Sequence, residues 1–166
     1  IKERRTRSWI AGWNGKLGKH RLQTSLRQDD SSQFGAKTTG NLGWGYQFSE
    51  QWRANASYGT AFKAPSFNDL YYPLNFGYVD NPNLRPELAK SREIGMHYET
   101  GRRRASAVWY MNQIDDLISW SGVTSPVNVG KARLEGLTLS YASQYRHFDY
   151  DANYDYLDAK DAANGK

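Results

Sequence analysis

The stretch QWRANASYGTAFK, residues 51–63, alternates apolar and polar side chains with a period of two. Trp52 and Tyr58 fall on one parity, whereas Arg53 and Asn55 fall on the other. Because successive side chains of a strand point to opposite faces, this segment would have one apolar and one hydrophilic face. A tilted strand needs roughly ten residues to cross a bilayer, and this stretch is long enough. The pattern therefore favours a strand of a membrane β-barrel.

The same alternation recurs along the whole chain. The further segments are 5–14, 21–28, 38–48, 92–99, 104–113, 133–143 and 148–156. In the last of them, Asp149, Asp151 and Asp155 share one parity. Three carboxylates would be costly in a dry core, whereas the water-filled lumen of a large barrel accepts them. The sequence predicts an all-β fold, an antiparallel up-and-down transmembrane β-barrel segment of about eight strands.

The connectors between these segments are expected to alternate between short and long. The short ones lie near 15–19, 49–51, 100–103 and 145–147, and the long ones at 29–36, 64–90 and 115–131. Such alternation is typical of barrels with short periplasmic turns on one rim and longer extracellular loops on the other. The first strand would then run toward the periplasm.

Composition is compatible with this prediction. A hydrophobic fraction of 39% and a mean hydropathy of -0.83 would also suit a soluble domain, but in a barrel only alternate residues meet lipid. Aromatic residues make up 14% of the chain. Trp44, Tyr46, Phe48 and Trp52 flank one short turn, which is typical of an interfacial girdle, although ordinary core aromatics are the alternative. The chain has no cysteine and no apolar run of about 18 residues.

Four motifs resemble those of the TonB-dependent outer-membrane receptors. They are YGTAFKAP at 58–65, DNPNLRPE at 80–87, DLI at 116–118 and GKARLEGL at 130–137. Asp80 stands where the family usually has Gly, and Thr138 replaces a second Glu. Within the family, the run DDSSQFG at 29–35 and the overall spacing are most similar to the cobalamin transporters.

The resemblance implies a 22-stranded barrel closed by a plug, which imports a scarce ligand when TonB pulls on the plug. Residues 1–166 would then be one partial barrel domain, without the plug or the C-terminal strands. The implied location is the outer membrane of a Gram-negative bacterium, with multiple membrane crossings. The implied partners are a small-molecule ligand (cobalamin or a ferric siderophore), TonB through the plug, and membrane lipid, with no nucleic acid.

Two alternatives remain open at the level of sequence. An iron–siderophore or haem receptor would share the family motifs, and a small structural or porin-like barrel would share the alternation. A segment of eight strands also has two open edges, so we expect pairing with another copy or closure of the sheet on itself. The sequence shows no nucleophile–base constellation, phosphate loop or pair of catalytic carboxylates, so no enzyme activity is expected.

No cofactor or metal site is expected either. His20, His97 and His147 lie on different segments without ligand spacing, and Asp29 and Asp30 offer only weak evidence for calcium. Inward-facing Arg27 and Arg53 are expected to form ion pairs with inward-facing acids, namely Glu93, Asp149 and Asp151.

The candidate ligand-binding residues are the aromatics of the longest loop. They are Tyr71, Tyr72, Phe76 and Tyr78. Exposed aromatics on a rim loop give a large contact area at little rotamer cost, but loop packing is an equal alternative. Pro65, Pro82 and Pro86 are expected to have an architectural role, because proline fixes φ and stiffens a long excursion.

Overall fold

The computed structural model describes residues 3–71, 79–120 and 125–161, and these form a single sheet with one short helix. The elements are β1 (Thr6–Leu17), β2 (His20–Ser31), β3 (Gly35–Gln47), β4 (Trp52–Lys63), α1 (Phe67–Tyr71), β5 (Glu87–Thr100), β6 (Arg103–Ser119), β7 (Val127–Tyr145) and β8 (Phe148–Asp161). Each strand pairs antiparallel with the next, in the order β1 to β8. The predicted up-and-down topology is confirmed.

The register of the strands confirms the two faces. One row of mutually opposed residues consists of Leu22, Trp44, Ala56, Ile94, Trp109, Leu137 and Tyr156. A row of the opposite parity consists of Gln47, Arg53, His97, Ser106, Ser140 and Asn153. Directly opposed residues of an antiparallel pair share a face, so the apolar and polar sets are segregated.

The large apolar side chains lie on the outward face of the sheet and are exposed. Trp13, Ile94 and Tyr154 are 57%, 59% and 59% exposed, whereas the buried hydrophobic residues of the described segments are Leu70 and Leu84. An apolar face of this extent is typical of a membrane surface. Among the described residues, no helix has the length and hydrophobicity needed to cross a bilayer.

Aromatic pairs line the outward face beside the short turns. The Tyr46 and Phe48 rings meet edge to face with centroids 4.8 Å apart, and the Trp52 and Tyr98 rings are also 4.8 Å apart. The indole Nε1 of Trp44 donates to Nδ1 of His20 at 3.1 Å. Amphipathic rings of this kind suit the boundary between lipid and water.

The apolar band crosses the sheet obliquely. On β1 the band runs from Trp9 to Leu17 and is centred on Trp13. When directly opposed residues are followed from strand to strand, the position on β8 that corresponds to Trp13 is Asp158. On β8 the band is centred on Ala152, about six residues from Asp158. A shift of about 20 Å along the strands over about 34 Å of sheet width gives a tilt of roughly 30°, close to the tilt of transmembrane barrels.

The long connections predicted at 29–36 and 115–131 are wrong, because strands extend into both stretches. The strands β2 and β3 pair out to Ser31 and Gly35, so their connection is residues 32–34. Likewise, β6 continues to Ser119 and β7 begins at Val127. These strand ends rise beyond the bilayer, where alternation is no longer required but backbone pairing continues. Asp116, with φ of 58°, interrupts the ladder between β6 and β7.

The sheet is open at both ends. β1 and β8 are the edge strands, and no ladder joins them in the part of the chain that the structure describes. Closure of the sheet on itself, one of the two arrangements expected, is therefore not what these residues form. Pairing of the edges with other strands stays a prediction.

Leu139→Arg and Ser140→Arg test which face meets lipid. Leu139 lies in the middle of the apolar band and is 40% exposed, whereas the next residue faces inward. We expect Leu139→Arg to lower the free energy of unfolding of the full-length barrel in bilayers by about 2–4 kcal/mol. Ser140→Arg should change it by less than about 1 kcal/mol. Equal losses in denaturant titrations of the two variants would contradict the assignment of faces.

Candidate ligand-binding site at the outer rim

Helix α1 begins with a capping box just after β4. The backbone N–H and the hydroxyl of Ser66 donate to Oδ2 of Asp69 at 2.8 and 2.7 Å, and the N–H of Asp69 donates to the Ser66 hydroxyl at 3.1 Å. This reciprocal arrangement satisfies backbone donors at the helix start. Leu70 within the helix is fully buried. The box therefore fixes the direction in which the chain leaves the barrel wall.

Asp69 also joins two other parts of the outer rim. Its Oδ1 accepts a hydrogen bond from the indole of Trp120 at 3.2 Å, and its carbonyl accepts from the N–H of Asn81 at 3.2 Å. Burial raises the pKa of Asp69, but the bonds from Ser66 and Trp120 outweigh it, with a smaller contribution from the charge of Lys63. The pKa of this carboxyl therefore lies below its ordinary value.

Arg4 fastens the same loop to the connection between β2 and β3. Its guanidinium lies 4.9 Å from the ring centroids of both Phe34 and Phe67. It donates to the carbonyl of Pro65 at 2.8 Å and to Oε1 of Gln33 at 2.9 Å. The amide of Gln33 in turn donates to the Tyr71 hydroxyl at 2.9 Å. Cation–π contacts combined with hydrogen bonds hold Arg4 from several sides.

The returning limb of the loop is bound to the strand extensions of β6 and β7. Oδ1 of Asn128 accepts from the N–H of Arg85 at 2.8 Å, and its amide donates to the carbonyls of Arg85 and Asp116 at 2.9 and 2.7 Å. Arg85 also forms an ion pair with Asp116. Asn81 donates to the carbonyl of Pro126 at 2.9 Å. Two of the four family motifs, 80–87 and 116–118, thus meet at one place.

Glu87 completes this limb at the start of β5. It is 8% exposed, and its Oε1 accepts from Nζ of Lys63 at 3.1 Å and from the N–H of Ile118 at 3.0 Å. A buried carboxylate with two donors is a satisfied structural group. This geometry supports the architectural interpretation of the proline-containing motif.

The candidate aromatic residues lie on the excursion between these anchors. Since the N–H of Asn81 donates to the carbonyl of Asp69, the two positions that flank this stretch lie next to each other. Tyr71 stands at the base of the excursion and is half-buried. The predicted residues Tyr72, Phe76 and Tyr78 lie outside the described residues.

The inward face of the wall carries a separate polar network. Nε2 of His97 lies 2.6 Å from Oδ1 of Asn55, and the Asn55 amide donates to Oε1 of Glu93 at 3.2 Å. A Cβ at Gly95 would lie 2.6 Å from Oδ1 of Asn55 and 2.9 Å from Nε2 of His97. Only glycine therefore leaves room for this pair.

The predicted ion pairs of the inward face are wrong in detail. Arg27 makes a two-pronged contact with Asp29 on its own strand, at 2.8 and 2.7 Å, because residues two apart share a face. Ser8 also donates to the same carboxylate. Arg53 has no acidic partner within 4.0 Å in the described segments. No group of three or more His, Asp or Glu in those segments is arranged to hold a metal ion.

The fold and the rim together define a wall segment of an outer-membrane barrel with braced extracellular loops. The family model described as "TonB dependent receptor-like, beta-barrel" matches residues 2–166. The chain therefore belongs to the TonB-dependent receptor family, as the motifs predict, and its location is the outer membrane of Gram-negative bacteria.

Named relatives agree with this membership. The chain is 35% identical to the vitamin B12 transporter BtuB of Photobacterium profundum over 154 residues, which cover 88% of this chain and 25% of that protein. The siderophore receptor PirA of Pseudomonas aeruginosa superposes with a TM-score of 0.85 at 23% identity, covering 94% of this chain and 32% of PirA. The ferric enterobactin receptor PfeA superposes with a TM-score of 0.82 at 21% identity, covering 98% and 28% of the two chains. The chain thus spans about a quarter to a third of these proteins.

Asn128→Ala tests the brace between the loop and the strand extensions. It removes one acceptor and one amide that together make three hydrogen bonds. We expect the free energy of local opening to fall by about 1–3 kcal/mol, so exchange of the Arg85 amide should accelerate about 5- to 150-fold. Asn153→Ala on the inward face is the control, since that side chain makes no hydrogen bond with the described residues. Unchanged protection at Arg85 would refute the brace.

Acidification tests the link between Asp69 and Trp120. Because the folded-state pKa lies below the ordinary carboxyl value of about 4, the stabilisation is present above that pH and is lost as pH falls through the folded-state value. In protein labelled with 5-fluorotryptophan, the ¹⁹F resonance of Trp120 should shift below about pH 4. Trp120→Phe assigns the signal. A titration that persists in Asp69→Asn would mean that another group is responsible.

Proposed function

We propose that the complete receptor imports a corrinoid of the cobalamin class across the outer membrane, by active transport coupled to TonB. In this proposal, the segment supplies part of the barrel wall and the outer rim, while a plug domain outside residues 1–166 supplies the coupling. The protein binds and moves its ligand without changing it chemically, so it is not an enzyme and needs no resident cofactor.

The observation that carries the ligand class is the identity with vitamin B12 transporters. It is 35% over 88% of this chain for the Photobacterium protein, and 35% over 86% for the BtuB of Vibrio vulnificus. The siderophore receptors superpose well but at 23% identity or less, and likeness at that level reflects the barrel rather than the ligand. An iron–siderophore receptor is therefore the second candidate.

The rim geometry supports ligand capture by the loop after β4. Its base is fixed by Arg4, Asp69 and Asn128, so a bound molecule would not need to order the whole loop. Binding that orders less of the chain loses less affinity to conformational entropy. In this proposal Tyr71, Tyr72, Phe76 and Tyr78 cover the ligand at the outer mouth.

Replacing these four aromatics together by Ser tests the proposal in the detergent-solubilised full-length receptor. We expect cyanocobalamin binding to weaken at least tenfold in equilibrium titrations, because several aromatic contacts are lost. The thermal unfolding midpoint should change little, since the loop tip contributes little to wall stability. Tyr71→Phe is the matched control, because it removes only the hydroxyl that Gln33 binds.

The same titrations with a ferric siderophore separate the two candidates. Siderophore binding without corrinoid binding would overturn the ligand class and leave the family unchanged. Binding of neither molecule by the parent receptor would refute import of both classes. Undiminished cyanocobalamin binding by the fourfold variant would remove the aromatics from the site.

A further inference from the structure

Three exposed cations lie on the inward face at the end of the wall opposite the outer rim. Lys16 is the penultimate residue of β1, and Arg21 and Arg53 are the second residues of β2 and β4. The register places all three on the face of Asn55 and His97, which look into the lumen. Because short turns mark the periplasmic rim of a barrel, these side chains stand where the lumen opens to the periplasm.

The wall does not balance these charges. On β1–β4 the inward-facing acid is Asp29, which lies near the opposite end and is held by Arg27. Lys16, Arg21 and Arg53 have no acidic partner within 4.0 Å among the described residues. Lys16 also lies directly opposite Arg21 in the ladder, and like charges in that position are destabilising. An anion above this pair would relieve the repulsion.

The wall between the cations has a floor of glycine on β3. A Cβ at Gly45 would lie 3.7 Å from the carbonyl oxygen of Ala54, and one at Gly43 would lie 3.8 Å from Cβ of Gln23. These are ordinary contacts, so the wall itself would accept alanine at both positions, in contrast to Gly95. Glycine therefore keeps the floor low, and the space above it is open to a molecule in the lumen.

Two adjoining concavities of about 490 and 440 Å³ open above this floor. Lys16, Arg21, Gly45 and Asn55 line both of them, and Arg53 lines the second. Further amide and hydroxyl side chains line the first, namely Asn14, Gln23 and Ser57. The three cations, the glycine floor and these polar side chains together form the lumenal basic shelf.

The shelf matches the chemistry of a corrinoid of the cobalamin class. Such a molecule has a flat macrocycle, a surrounding set of primary amides and one negatively charged phosphodiester. A low glycine floor lets a flat ring approach the backbone, and amide and hydroxyl side chains both donate and accept hydrogen bonds. Lysine binds a phosphate as a point charge, and arginine binds it through paired donors.

We propose that the lumenal basic shelf is an exit site, where Lys16, Arg21 and Arg53 hold the phosphodiester of the ligand before it enters the periplasm. The site rests on the proposed function and lies at the other end of the lumen from the capture loop. It becomes accessible when the plug is displaced. A cleft lined by charges of one sign raises the local concentration and on-rate of oppositely charged molecules by about 10- to 1,000-fold. The shelf therefore draws the ligand toward the periplasm.

The test measures TonB-driven uptake by cells that carry the full-length receptor or its variants. The shelf variant combines Lys16→Gln, Arg21→Gln and Arg53→Gln. The control combines Arg102→Gln, Arg103→Gln and Arg146→Gln, which removes the same charge at and beside the turns that follow β5 and β7. Each protein is given cyanocobalamin or dicyanocobinamide, which keeps the corrin ring and its amides but lacks the phosphodiester. Equilibrium binding of cyanocobalamin to the solubilised receptors reports on the outer mouth separately.

We expect the shelf variant to import cyanocobalamin about tenfold more slowly, and dicyanocobinamide at the parental rate. Its affinity for cyanocobalamin at the outer mouth should not change, because the cations lie at the other end of the lumen. The control should import both corrinoids as the parent does, and so should a variant that keeps the charges through Lys16→Arg, Arg21→Lys and Arg53→Lys.

Two results would overturn the exit site. Equal slowing of both corrinoids would assign the three cations to contacts with the plug, and parental uptake of cyanocobalamin by the shelf variant would show that they do not act on the ligand. A parent receptor that binds no cyanocobalamin would instead refute the proposed function, and the exit site with it.

Discussion

The antiparallel hydrogen-bond ladder is the constraint from which the rest of this structure follows. In lipid no water is available to the backbone, so every N–H and C=O must find a partner in a neighbouring strand. The ladder fixes the register, and a slip by one residue would exchange the lipid-facing and water-facing side chains of a whole strand. Trp44, Ala56 and Ile94 share a face in the register observed, and a slip by one residue between any two of their strands would separate them.

Above the bilayer the same chain is held together in a different way. There Leu70 and Leu84 are the buried apolar side chains of the described residues, and both lie in the outer loop after β4. Around it, side chains bind backbone groups from distant parts of the sequence, as Asn128 does with Arg85 and Arg4 with Pro65. Hydrophobic burial and polar contacts therefore stabilise the rim, whereas lipid and the ladder stabilise the wall.

Alternation predicted the number, order and faces of the strands because that pattern is local and each residue carries it independently. It failed at residues 29–36 and 115–131, where strands continue beyond the bilayer and the regular alternation of apolar and polar residues is lost. The sequence also could not place Arg4 or Asp69, whose partners lie far along the chain or depend on a five-residue helix. Arg27 pairs with Asp29, two residues away on the same strand and face, rather than with an acid of another strand.

The hydrogen bond between Asp69 and Asn81 divides the loop after β4 into two parts. The base of the loop braces the wall, and the stretch between these two residues is the part proposed to bind ligand. The bonds that hold the rim to the wall, made by Arg4, Glu87 and Asn128, come from residues on either side of the stretch 72–78. Doubling the length of a closed flexible loop costs only about 0.6 kcal/mol. Changes in the size or chemistry of the tip are thus nearly independent of barrel folding, which allows one wall architecture to acquire new specificities through this loop.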